Sequence, residues 1–432
     1  MESAEMDATK RSMKLVLIIL LLLTGVEAKL ETAQIWFRHG QRFPTAYLTF
    51  PTDDKRVLAE AQKYDRGELT NVGVSQTYDL GRNLRETYSE LVGKTYRSTN
   101  LITFTGRDNR TVASGLGVLA GLFPPSAAQS WNGGLRWIPI PVFSLEQLDQ
   151  VSFGILDFCP HYLDTINDTR SKAVFDYFSE IASVLSKQTG VKIENIDVLQ
   201  KVIDGVLARN NLAPDYLPLP QWAEDEAFVS GLRQVQNILH QNYIRILGDE
   251  PGAWQFDRLI GTFDDYINNR TLHKLVLYSA HDSNMMTFGI YLNISIIDEE
   301  LQPLATYLAF ELHSDEKNET DYRVKIYLHR QLNGTRELLN LKQCPYPCSF
   351  SKFKALGSRI STTEFVSLCK DTTEDSTLLY KTVSGVLIIV TVLLLAALIS
   401  VFWSCQSWKR RYETFVEEER QPLISRNRSH RE

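Results

Sequence analysis

The sequence predicts an α/β fold: an open, mostly parallel mixed sheet flanked by helices, with an inserted helical domain and one C-terminal transmembrane helix. Three observations carry this expectation. Short apolar, β-branched runs end in charged residues and lead into helices, the pattern of strands buried on both faces of a covered sheet. A long middle stretch spaces its apolar residues at helical period. Near the C-terminus, an uncharged apolar run is long enough to cross a bilayer.

In chain order, Lys10, Arg11 and Lys14 precede the apolar run Leu15 to Leu23, and Val26-Glu27-Ala28 offers small residues for cleavage. Residues 1–28 therefore read as a secretory signal peptide, with maturation near Lys29. The first strand, Ala33 to Phe37, runs into Arg38-His39-Gly40-Gln41-Arg42-Phe43-Pro44. The second, Leu101 to Phe104, runs into Thr105-Gly106-Arg107-Asp108-Asn109-Arg110-Thr111; a small-residue helix from Val112 to Leu122 follows and stops at Phe123-Pro124-Pro125. The third, Leu275 to Tyr278, runs into Ser279-Ala280-His281-Asp282 and a helix from about Ser283. In such sheets the carboxyl ends of the strands share one edge, where ligands bind. Arg38, His39, Arg42, an arginine of the second loop, His281 and Asp282 should thus reach a single site.

Between these segments, residues 151–270 read as a helical insertion, with helices over Ala173–Leu185, Ile196–Ala208 and Asp225–Leu247. It divides the core into residues 29–150 and 271–369 and is expected to form one wall of the cleft. Ala305 to His313 and Tyr322 to His329 alternate about the turn Ser314 to Asp321, which predicts an antiparallel hairpin. Residues 370–382 form a polar stalk, 383–403 the membrane helix and 404–432 a cytoplasmic tail, oriented by Lys409, Arg410 and Arg411. The topology is single-pass, type I.

The chain has 432 residues, 44% hydrophobic and 23% charged, and its net charge of −6 gives no footprint for nucleic acid. Tyr412-Glu413-Thr414-Phe415 and Glu419-Arg420-Gln421-Pro422-Leu423-Ile424 resemble signals read by sorting adaptors. They favour an endosomal or lysosomal membrane with a luminal main domain; the plasma membrane is the alternative. Cys405 sits at the cytoplasmic membrane edge, and four luminal cysteines allow three connectivities. A tight local loop would join Cys344 with Cys348, and Cys159 would then join Cys369. Spacing and an oxidising compartment argue against a metal site on these four. Sequons at Asn167, Asn269, Asn293, Asn318 and Asn333 are expected to carry glycans. His161, His240, His273, His313 and His329 lack ligand spacing and read as structural or surface residues, and Trp131, Trp137 and Trp222 as core.

The chemistry starts from Arg38, His39 and Arg42. Two guanidinium groups this close form a forked receptor for an oxyanion and favour neutral imidazole. A neutral histidine held against a bound phosphate is a candidate nucleophile.

Taken with Asp108-Asn109-Arg110-Thr111, Leu119 to Pro125 and Tyr278 to Asp282, the Arg38–Pro44 segment resembles the histidine acid phosphatases, especially the eukaryotic lysosomal and prostatic type. The likeness runs in order from about Lys29 to Cys369. It implies hydrolysis of phosphomonoesters, on small molecules or phosphoproteins, with no metal or other cofactor, and a homodimer. It implies His39 as the nucleophile that forms a phosphohistidine, and Arg38, Arg42, Arg110 and His281 as holders of the phosphoryl oxygens. Asp282 would donate a proton to the leaving alcohol and then activate water. Such an acid must be protonated, which an acidic lumen would supply. Counting back from Phe123-Pro124-Pro125 selects Arg110, with Arg107 as a weaker substitute. A glycan on Asn109 would obstruct the cleft beside Arg110, so that sequon is expected to stay bare. Two narrower readings remain: a phosphatase restricted to an inositol phosphate or lysophospholipid phosphate, and an inactive receptor-like ectodomain. The second would need one of the six site residues to be missing, and none is.

Overall fold

The computed structural model describes residues 28–151, 159, 169–212, 216–315, 318–330, 334–369 and 372–419. The expected signal peptide, His161, the sequons at Asn167 and Asn333, and all but the first residue of the dileucine-like motif lie outside the described residues.

Strand β1 (Lys29–Arg38) is followed by helices α1 (Lys55–Ala61) and α2 (Asn71–Val92), strand β2 (Leu101–Thr105) and helix α3 (Asn109–Leu122). After the short β3 (Phe143–Ser144) and α4 (Gln147–Gln150) come α5 (Thr169–Tyr177), α6 (Ser179–Thr189), α7 (Ile196–Leu212), α8 (Glu226–Ile246) and α9 (Glu250–Ile267). Strand β4 (Leu275–Ala280) leads into α10 (Asp282–Leu292) and α11 (Ser295–Asp298). Then follow β5 (Tyr307–Asp315), β6 (Asn318–His329), β7 (Glu337–Leu339), β8 (Cys348–Ser349), α12 (Phe350–Lys354) and α13 (Thr362–Cys369).

The sheet runs β3-β2-β4-β1-β5-β6-β7, with β8 also on β6. It is parallel from β3 to β1 and antiparallel beyond. The antiparallel part exceeds the single hairpin expected, because β7 and β8 both add to β6. Registers align Arg38 with Ala280 and Thr105 with Ser279, so β1, β4 and β2 end at one level.

The central strands are largely buried because both faces are covered. Ala33, Ile35, Phe37, Leu275 and Leu277 pack against α2 and α3 in one core. Trp36, Val276, Tyr278, Leu308 and Phe310 face the other way, into a core shared with α6 to α10. There Trp36 stacks on Tyr278 at 4.0 Å between ring centroids and meets Phe288 edge-on at 4.9 Å. The helices of the 151–270 segment thus share a core with the sheet. The expected helix over Ala173–Leu185 is two helices, broken where Phe178 turns into the core. Trp131 is not core: it lies 60% exposed in the irregular segment after α3, while Trp137 and Trp222 are half-buried.

Two disulfides form, Cys159–Cys369 and Cys344–Cys348. Asn269 and Asn293 are exposed at backbone turns with positive φ, and Asn318 opens β6.

The chain divides into two compact units, one ending at Lys370 and the other starting at Asp371. The second is helix α14 (Thr372–Glu419), so the expected stalk is helical from Thr372. Within it, Ser384–Glu417 is long and apolar enough to cross a membrane.

Candidate active site

The three strand ends deliver the predicted residues to one cleft of ≈ 400 Å³, lined among others by Arg38, His39, Arg42, Arg110, His281 and Asp282. Arg38 is the last residue of β1, and the His39 amide still bonds to the Ala280 carbonyl at 3.2 Å, which locks the motif to β4. The chain then passes hard against the start of α2: a Cβ on Gly40 would lie 2.3 Å from the Gly73 carbonyl oxygen. Only glycine fits that crossing. Helix α3 starts at Asn109, a turn earlier than the periodicity suggests, which places Arg110 in its first turn and in the cleft. Arg107 points away, 57% exposed and paired with Glu146 at 3.4 Å. Asn109 is exposed, and its side-chain amide donates to Glu68 at 2.7 Å.

His39 is buried, and its Nδ1 lies 2.8 Å from the Gly40 carbonyl. A carbonyl only accepts, so the proton sits on Nδ1 and Nε2 keeps its lone pair. Burial, with Arg110, Arg42 and Arg38 around it, holds His39 well below the ordinary imidazole range and hence neutral.

Each arginine has a carboxylate partner. Arg38 meets Asp282 at 2.7 Å, Arg42 grips Asp204 through both nitrogens at 2.6 and 3.2 Å, and Arg110 pairs with Asp108. The Nε of all three arginines is nonetheless buried without a hydrogen-bond partner. Such unmet donors are costly unless an acceptor arrives. For Asp282, burial raises the pKa, but Arg38, His240 and His281 outweigh it and bring the carboxyl below its ordinary value. Acidic pH alone therefore does not supply the proton expected on Asp282.

His281 stands with its ring 5.6 Å from that of His39. Its Nε2 is 2.8 Å from Asp149 and 3.8 Å from Asp108. Asp149 gets that close because Gly106 has no side chain; a Cβ there would lie 2.0 Å from the Asp149 carboxylate. Asp108, Asp149 and His281 are also the one group among the described residues whose donor atoms could gather a metal ion. All three are already engaged, Asp108 with Arg110 and Asp149 with His281.

Several residues here escaped sequence reasoning. Asp204 on α7 braces Arg42 and also accepts from the Thr45 hydroxyl at 3.1 Å. Asp197, Gln200 and Lys201 line the cleft from the same helix, and Gln236 and His240 from α8. A signal existed for α7: Asp197, Lys201 and Asp204 share one face of a helix that is otherwise largely buried. Asp149 has no local signal. His240, read as structural, is buried in this wall with its Nδ1 2.9 Å from the Gln236 carbonyl. Among the other histidines, His313 is buried against Glu311 and His329 stacks on Tyr307.

The chain is similar to known proteins. The chain is 26% identical to the prostatic acid phosphatase of Bos taurus, over 83% of this chain and 94% of that one. It is 24% identical to the lysosomal acid phosphatase of Xenopus laevis, over 88% and 90%. Its fold is similar to that of the phytase from Citrobacter braakii, with a TM-score of 0.55 at 16% identity, covering 80% of this chain and 99% of the phytase. The model of the histidine phosphatase superfamily (branch 2) matches residues 29–329, and the chain belongs to that family.

Proposed function

We propose that this phosphatase is a membrane-anchored acid phosphatase that hydrolyses phosphomonoesters through a phosphohistidine on His39, without a metal. The observation that carries the reading is the neutral His39, its Nδ1 held by the Gly40 carbonyl, among three arginines that line the same cleft. Their fixed positive charge can do for a phosphoryl group the stabilising work that metal ions do elsewhere.

His39 Nε2 attacks phosphorus as the P–O bond to the alcohol breaks, and Asp282 gives its proton to the leaving oxygen. Asp282, now a carboxylate, takes a proton from water as that water attacks phosphorus. The P–N bond breaks, and phosphate leaves with His39 restored. Arg38 couples binding to this chemistry. In the empty site it keeps Asp282 ionised. A phosphate dianion that engages Arg38 both draws off that stabilising charge and adds a negative charge nearby, so Asp282 takes up its proton as substrate binds. Burial and the surrounding arginines favour the neutral form of His39.

Support for a membrane location comes from α14, and support for an endosomal or lysosomal lumen from the lysosomal relatives and the tail motifs. The test uses the full-length protein in detergent with p-nitrophenyl phosphate at about pH 4 to 6 and EDTA present. Turnover is expected, its loss in His39→Ala is expected, and Asp282→Ala should slow esters with poor leaving groups most. Full activity in His39→Ala, or a strict need for added metal, would refute the mechanism.

A further inference from the structure

The three carboxylates on the arginines are not alike. Asp282 has a chemical role, and Asp204 is held by Arg42 and Thr45 together. Asp108 has one ion pair, to Arg110, and its side chain is 40% exposed. It also lies 3.8 Å from His281 Nε2, so it touches one proposed phosphate ligand and approaches another. Its backbone marks a second anomaly. Asp108 is the N-cap of α3, with the extended φ of −61° and ψ of 131° that cap residues adopt, yet its side chain makes no cap hydrogen bond. An aspartate there ordinarily accepts from the amide two or three residues on and steadies the helix. Here the carboxylate has left its own helix end for the guanidinium of Arg110.

We propose that Asp108 is a displaceable counter-ion: it occupies the place of a phosphoryl oxygen at Arg110 when the site is empty, and turns onto the amides of α3 when phosphate enters. The inference rests on the reading above that Arg110 and His281 hold phosphate. Two consequences follow. Arg110, largely buried, is not left as a bare cation between turnovers. The product phosphate must also compete with an intramolecular anion that returns as it leaves, which weakens product binding and hastens release. Capping of α3 offsets part of the ion pair given up on binding.

The experiment is calorimetric titration of full-length protein in detergent with inorganic phosphate, which needs no turnover. Asp108→Asn keeps a capping oxygen without charge, and Asp108→Ser does the same with a different side chain. Both should bind phosphate about tenfold more tightly than the wild type. In an Arg110→Gln background, Asp108→Asn should have no such effect, because the competed cation is gone. Unchanged or weaker binding in either single variant, or the same gain without Arg110, overturns the proposal. A wild-type protein that turns over no p-nitrophenyl phosphate overturns the acid phosphatase reading itself, and this result is distinct from a failure of the counter-ion alone.

Discussion

His240 sits in the wall of the cleft, where burial outweighs the pull of Asp282 and Asp204 and brings its pKa down to about 4. An imidazole that titrates near 6.5 in the unfolded chain and near 4 in the folded one binds fewer protons when folded. Stability is therefore complete above about pH 6.5 and declines as pH falls through the interval down to about 4. His240→Gln removes that liability. Its thermal midpoint should fall less than the wild type's between about pH 7 and about pH 4.5, and equal falls in the two proteins would contradict the burial argument. Single residues were legible in the sequence to the extent that their neighbours in the chain explained them. Arg38, His39 and Arg42 share a heptapeptide, and His281 and Asp282 are adjacent, so their chemistry can be read locally. His240 bonds to Gln236 within its own helix, but the charges of Asp282 and Asp204 that act on it come from elsewhere in the chain.

Thr70 shows how an element and the motif depend on each other. It is the buried N-cap of α2: its hydroxyl accepts from the Gly73 amide at 3.0 Å and donates to the Gln41 side chain at 2.7 Å. The same atom therefore starts the helix and pins the loop that follows His39. Thr70→Val keeps the shape and removes the oxygen. It should cost about 1–2 kcal/mol of stability, read as a lower denaturation midpoint, and should lower kcat by loosening the loop. A variant with wild-type stability and kcat would show that the hydroxyl does neither. At this scale, strands were read more accurately than helix ends. An apolar run such as Leu275–Tyr278 announces its own burial, whereas the start of α3 depends on a backbone turn that periodicity does not encode. That turn of difference decides which arginine enters the cleft.

For the whole molecule, the Cys159–Cys369 bond closes a loop over a sequence separation of 210, joining the start of the 151–270 segment to the last helix of the first unit. On chain-entropy grounds it contributes roughly 5 kcal/mol by restricting the unfolded chain. Replacing both cysteines by serine should lower the free energy of unfolding by that order in denaturant titration; an unchanged value would locate the stability of this unit in its packing alone. The sequence exposed the parallel sheet and its site edge because strand, charged turn and helix recur three times. It pointed to the helical segment as a wall of the cleft but did not name the acids there, since Asp149 and Asp204 reach the cleft only through tertiary packing.

The strand order has a consequence for how the protein is made. β1 pairs with β4 on one side and β5 on the other, and neither exists until more than two hundred further residues have been added. At about 5–20 residues per second, β1 waits roughly 10–50 s after synthesis with both edges unpaired. An apolar strand open on both edges invites mispairing with other chains. A newborn chain of this protein is therefore exposed to mispairing until β4 arrives, and its yield should depend on protection of that strand more than on the final stability of the fold.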